Sequence, residues 1–192
     1  MEDYYNSEFF YIILGIVIVI LIYKFRENKV NEISQFDNRT YQVNEMPNKQ
    51  DAADRIAQIR ERLETLQGCL NKNYPDDPRV KRLNERLNLD NIKETPINSD
   101  YTSYSVNKGE ELSFCVRDKG DPKKIHDLNL LMFVSLHEMA HVVSESIGHG
   151  SEFLENFAWI LRQAIKCGVY IKEDFASNPK MYCGVKVTNG II

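Results

Sequence analysis

Residues 127–157 read DLNLLMFVSLHEMAHVVSESIGHGSEFLENF, and this stretch decides what kind of molecule the chain is. Asp127 is placed to cap a helix from about Leu128 to Ser146, and Gly148 supplies its stop. Within that helix, residues 137–141 read HEMAH, the H-E-x-x-H pattern. Helix positions four apart lie on one face a turn from each other, so His137 and His141 can offer two imidazole nitrogens to one tetrahedral Zn2+. Glu138, beside them, is the candidate general base, taking a proton from water whose pKa the zinc lowers toward neutrality. Of the four histidines in the chain, three fall between His137 and His149. His149 arrives on a separate element, as the third protein ligand of a catalytic zinc does. Glu145, Glu152 and Glu155 are the carboxylate alternatives, Glu152 the best of them, while His126 reads as a capping or surface residue. Ionisable groups on a helix otherwise made of Leu130, Leu131, Phe133, Val134, Leu136, Val142 and Val143 are costly to bury without a partner, and a metal is one.

Working outward, a further helix from Ser151 to Lys166 carries Phe153, Phe157, Ile160, Leu161 and Ile165 and ends at Gly168, with Trp159 as a core or interface aromatic. Upstream, residues 101–116, YTSYSVNKGEELSFCV, flank Asn107-Lys108-Gly109 with β-branched and aromatic residues, which predicts two strands and a hairpin turn. An edge strand near Leu112 to Val116 could hold a peptide by strand addition. Ala52, Ile56, Ile59, Leu63 and Leu66 recur at helical spacing, and Asp77-Pro78 opens a second helix with Val80, Leu83 and Leu87. Together these predict a helical hairpin over about 51–90, with helices 51–88 as a candidate protein-partner surface. The tail carries two expected short strands, Val169–Lys172 and Tyr182–Val187.

The string HEMAHVVSESIGHGSEF followed by a helix resembles the short zincin proteases of the SprT and WLM (Wss1-like) type, with H-E-x-x-H, a brief spacer, then His-Gly and a nearby Phe. LSFCVRD and HDLNLLMFVSLHEMAHVV resemble the strand-then-helix approach to the site in that class, so the likeness covers about residues 100–170. A membrane-anchored version is similar to metalloproteases of large double-stranded-DNA viruses. The resemblance implies His137, His141 and His149 as zinc ligands and Glu138 as the catalytic residue. SprT-type proteins of DNA repair usually add DNA-binding elements, and this chain departs from them.

The net charge of -4 hides an asymmetry: Glu2, Asp3 and Glu8 precede any base, leaving 24 bases against 25 acids from residue 24 onward. A neutral body does not suggest a nonspecific nucleic-acid binder, and no nucleic acid is expected as a partner. Phe9 to Tyr23, FFYIILGIVIVILIY, is free of charge and extends to Phe25 if Lys24 snorkels, which predicts a spanning helix with aromatic ends. Lys24, Arg26 and Lys29 follow it, so the positive-inside rule places the amino terminus outside and the remainder in the cytosol or the virion interior. Cys69, Cys115, Cys167 and Cys183 form no C-x-x-C pair and read as free thiols in a reducing compartment.

The expected molecule is therefore α+β: a mainly helical zincin-like metalloprotease core with a small β-sheet, preceded by an N-terminal transmembrane helix. Its parts are an anchor over 1–25, a linker over 26–50 and the metalloprotease domain over 51–192. The expected activity is peptide hydrolysis with Zn2+ as cofactor, a protein or peptide as substrate and a membrane contact through residues 9–25. Two other readings stand beside it: a tethered scaffold with a structural zinc, and a DNA-associated SprT-like protease.

Overall fold

The stripe running from Ala52 to Leu66 builds the longest helix, α1 (Lys49–Asn73), whose buried side also takes in Ala53, Ala57, Arg60 and Leu70. The computed structural model describes residues 11–19, 29–188 and 191–192. After α1, Asp77 accepts the Arg79 N–H at 2.9 Å and starts α2 (Pro78–Arg86), with Pro78 in the first turn where no N–H is needed. Asp127 does the same for α3 (Leu128–Val143), accepting the Leu130 N–H at 2.8 Å. The fourth long helix, α4 (Ser151–Lys166), ends before Gly168, whose φ of +74° suits a residue without a side chain. α3 packs against α1, α2 and α4. That central position explains why it is apolar on nearly every face, with Leu131, Met132, Leu136, Met139, Ala140, Val142 and Val143 all fully buried.

Among the described residues three small sheets accompany the helices. β1 (Lys29–Ile33) and β2 (Thr40–Asn44) pair antiparallel, with Lys29 opposite Asn44 and Ile33 opposite Thr40. β3 (Ile92–Glu94), β4 (Tyr104–Val106) and β5 (Glu111–Phe114) form a sheet with β5 in the middle, parallel to β3 and antiparallel to β4. β6 (Lys180–Tyr182) and β7 (Val185–Val187) make the last hairpin, turning at Cys183 and Gly184. Beneath the first two sheets Arg117 and Glu94 form a buried ion pair at 2.5 Å, with side chains 1% and 2% exposed. Asn48 Oδ1 accepts from Arg117 Nε at 3.1 Å, and Glu94 also accepts the Asn44 N–H at 2.7 Å.

Several expectations are corrected here. Among the described residues no helix is long and apolar enough to cross a membrane. The anchor expected over 9–25 lies partly outside the described residues; the nine that are described and helical, 11–19, rise about 14 Å, against the roughly 30 Å of a bilayer core. The transmembrane helix, and the single-pass placement with the amino terminus outside, are therefore withdrawn. The stretch read as a linker contains the β1–β2 hairpin, because Tyr41 and Val43 face the core while Thr40 and Gln42 face solvent, a period of two too short to stand out among polar neighbours. β5, read as an edge strand, is central, and the edge of that sheet facing the cleft is β4. The expected strand at Val169–Lys172 is absent, and Tyr182–Val187 is broken by a turn.

The cysteines are not free thiols. Cys69 is bonded to Cys167 and Cys115 to Cys183, across 98 and 68 residues of sequence. Spacing rules for neighbouring cysteines carry no information about pairs that only the tertiary fold brings together. By chain entropy, loops of this size contribute about 4–5 kcal/mol each. His126, expected at the surface, is 4% exposed, with Nε2 3.4 Å from Cys183 Sγ and its ring 5.2 Å from that of Tyr182.

Candidate metal centre

His137 and His141 leave the same face of α3, and the chain then turns at Gly148, where φ is +86°, and returns His149 to them. The three Nε2 atoms form a nearly equilateral triangle: 3.2 Å between His137 and His141, and 3.1 Å from His149 to each. Imidazoles bound to one tetrahedral zinc at about 2.0–2.1 Å stand about 3.3 Å apart, so the triangle fits the ion. The donor set fits as well, since three rings aim the same type of atom at a common point, where no pattern of N–H donation satisfies all three. Among the described residues no cysteine or carboxylate joins the group. Three protein ligands and an open side are the arrangement of a catalytic site; structural zinc is closed by four.

Phe153, from the first turn of α4, is the floor. Its ring lies 4.9, 4.4 and 4.7 Å from those of His137, His141 and His149. Burial, and then the neighbouring imidazoles, push His137 down to about 4. Burial, then His149 and Lys108, push His141 to about 4 as well. Both rings are therefore neutral at pH 7 and able to act as metal ligands.

Glu138 is 6% exposed and, among the described residues, makes no hydrogen bond or ion pair. Burial alone pushes its carboxyl up to about 7. It lines a cleft of about 440 Å3 together with the triad, Ser103, Tyr104 and Ser105 from the β4 side, Lys108, and the exposed Ile147. Behind that wall the Tyr182 hydroxyl meets Ser103 Oγ at 2.5 Å, and burial raises the Tyr182 pKa.

Among the described residues none of the carboxylates weighed as alternatives to His149 joins the triad. Glu145 pairs with Arg82 at 2.8 Å, and Glu155 lines a groove on the outer side of α4. Glu152 accepts the N–H groups of Glu145 and Ser146 at 2.7 and 2.9 Å. With the Ser146 hydroxyl contributing most, these donors hold the Glu152 carboxyl down at about 2. Sequence reasoning missed three residues of this site. Phe153 was read as core and as the Phe of the resembled pattern but given no place under the imidazoles, and Lys108 and Tyr182 carry no local pattern that distinguishes them from a turn lysine and a strand tyrosine.

No protein-family profile matches the chain. Uncharacterized protein R325 of Acanthamoeba polyphaga mimivirus is 31% identical over 189 residues, spanning 94% of this chain and 95% of that protein. The chain belongs to the R325 family. Two further viral proteins match shorter stretches. Protein 136R of Invertebrate iridescent virus 6 is 36% identical over 83 residues, which is 42% of this chain and 44% of that protein. Protein 042R of Invertebrate iridescent virus 3 is 38% identical over 107 residues, 55% of this R325-family chain and 62% of its own length. Among solved structures, Wss1 from Saccharomyces cerevisiae aligns at TM-score 0.43 and 20% identity, covering 62% of this chain and 81% of that one. A Wss1 mutant gives 0.48 and 19%, covering 67% and 91%.

Proposed function

We propose that this R325-family protein is a zinc metallopeptidase. The observation that carries the reading is the triangle of His137, His141 and His149 nitrogens beside a buried carboxylate, Glu138, that has no partner of its own. Fully paired carboxylates are the rule in protein interiors, and an unpaired one on the floor of a cleft is a functional group by default. The three imidazoles would hold the ion. A bound Zn2+ supplies a Lewis acid that polarises a carbonyl and brings the pKa of water close to neutrality.

The chain's own residues do the remainder. Glu138, lining the cleft beside the triad, accepts a proton from the attacking water at a carboxylate oxygen and returns it to the departing amine, so one group serves as base and then as acid. β4, as the edge strand beside the cleft, has main-chain groups free to pair with an extended peptide, which lays a protein substrate across the triad. Phe153 closes the floor below the imidazoles and excludes water from that side.

The test is zinc stoichiometry of the full chain, followed by cleavage of a casein substrate with and without chelator. About one zinc per chain is expected, and cleavage that stops on chelation and returns on adding zinc. A preparation that neither contains zinc nor takes it up refutes the proposal. Zinc uptake without cleavage of any substrate favours a structural ion in a scaffold, and cleavage seen only with added DNA favours a DNA-associated protease.

A further inference from the structure

The three candidate ligands are held in two different ways. His137 and His141 ride on α3, fixed through Leu136, Met139 and Ala140, all fully buried. His149 lies in the run 145–150, every residue of which is exposed, Ile147 to 93%. No apolar side chain anchors the chain between Ser144 and Phe153, and an exposed segment without buried contacts opens at low cost. Yet His149 meets both partners at 3.1 Å.

The restraint is polar and acts on the backbone from two sides. Lys108 Nζ donates to three successive carbonyls, those of Ser144, Glu145 and Ser146, at 2.8, 2.7 and 3.2 Å. These oxygens follow the end of α3, where carbonyls lack helical partners and a cation is favoured. From the opposite side Glu152 takes the amides of Glu145 and Ser146. Lys108 itself is well fixed. It lies in the β4–β5 turn, where Asn107, Lys108 and Gly109 all have positive φ, at 46°, 56° and 115°. Gly109 is pressed so tightly against α2 and α3 that a Cβ there would stand 2.9 Å from the Arg86 carbonyl oxygen and 3.1 Å from Val142 Cγ2. The turn is thus seated against Val142, one residue past His141, and the strand that leads into it is the cleft wall β4.

We propose that Lys108 and Glu152 are positioning residues for the metal: they clamp residues 144–146 by carbonyl and amide together and so hold His149 in the triad before an ion arrives. The inference rests on the zinc reading of the triad. Because Lys108 belongs to the hairpin that forms the cleft wall, displacement of that wall is transmitted to the third ligand.

The experiment measures zinc affinity of the full chain by competition with a chromophoric chelator, together with the rate of release into excess chelator and the thermal midpoint of the metal-free protein. The proteins compared are wild type, Lys108→Met, Lys108→Arg, Glu152→Gln and, as a control for loss of a surface cation, Lys72→Met. Lys108→Met is expected to bind zinc about 10–100-fold more weakly, as loss of a group orienting a ligand does, and to release it faster. Lys108→Arg should recover part of the affinity, Glu152→Gln should fall between, and Lys72→Met should match wild type. The clamp is refuted if Lys108→Met and Glu152→Gln bind within twofold of a wild type that holds zinc, or if they lower only the midpoint of the metal-free protein. Absence of zinc uptake by wild type instead removes the zinc reading, and the clamp with it. Should Lys108→Met not fold, Lys108→Arg and Glu152→Gln decide by the same criteria.

Discussion

Glu94 and Glu138 are both buried carboxylates, 1% and 6% exposed, and their surroundings are opposite. Around Glu94 the protein has assembled a full set of partners: the Arg117 guanidinium, the Asn44 amide, and Asn48 steadying Arg117 from the other side. Glu138 lines the open cleft beside the histidine triad, Ser103, Ser105 and Lys108 and, among the described residues, makes no hydrogen bond or ion pair. A buried carboxylate with its bonds made is an element of construction, even though Nη2 of its partner Arg117 finds no hydrogen bond among the described residues. A buried carboxylate with none costs stability, and under the proposed function that cost is offset by proton exchange with the attacking water.

Substitutions at the two positions should break this pairing of roles in order of size. The largest effect is expected from Glu94→Leu, which strands the Arg117 guanidinium in the core and should cost about 3–5 kcal/mol in denaturant unfolding. A loss below about 1 kcal/mol would mean that Arg117 reaches water when its partner is gone. Next comes Glu138→Gln, which keeps size and shape but cannot take a proton. Peptide turnover should fall by about a hundredfold or more while zinc stays bound and the thermal midpoint holds or rises. Equal turnover in that variant and wild type would remove Glu138 from the chemistry. The smallest effect is expected from the double variant Glu94→Leu/Arg117→Met, which removes both charges together. It should recover most of the single-variant loss and remain about 1–2 kcal/mol below wild type, because the Asn44 amide loses its acceptor. A double variant as unstable as Glu94→Leu alone would show that packing, and not charge, is what the pair supplies.

What was legible in the sequence was local. The i, i+4 spacing of His137 and His141, the Asp127 and Asp77 caps and the Gly168 stop each rest on contacts within one or two turns, where a pattern of residues maps directly onto geometry. The convergence of His149 could be expected from the need for a third ligand and from the His-Gly of the family resemblance, whereas what holds its loop is only partly local. The holding groups are Lys108, about forty residues earlier, and Glu152, whose acidic character also suited it to the role of ligand. The cysteine pairs failed for the same reason of distance, and the β1–β2 hairpin because two inward residues, Tyr41 and Val43, are too few to mark a strand. The apolar run after Phe9 shows the opposite error: strong composition was read as a spanning helix that no described helix supports.

The Cys69–Cys167 bond closes a covalent ring across a sequence separation of 98, and the cleft from Ser103 through His149 lies wholly inside it. The Cys115–Cys183 bond closes a second ring that overlaps the first, and the exposed run 145–150 belongs to both. A single cut of the backbone in that run therefore releases nothing. The nicked chain gains only one water in mass and stays a single covalent species until both disulfides are reduced, so a cut beside the histidine triad releases no fragment in denaturing electrophoresis without reductant.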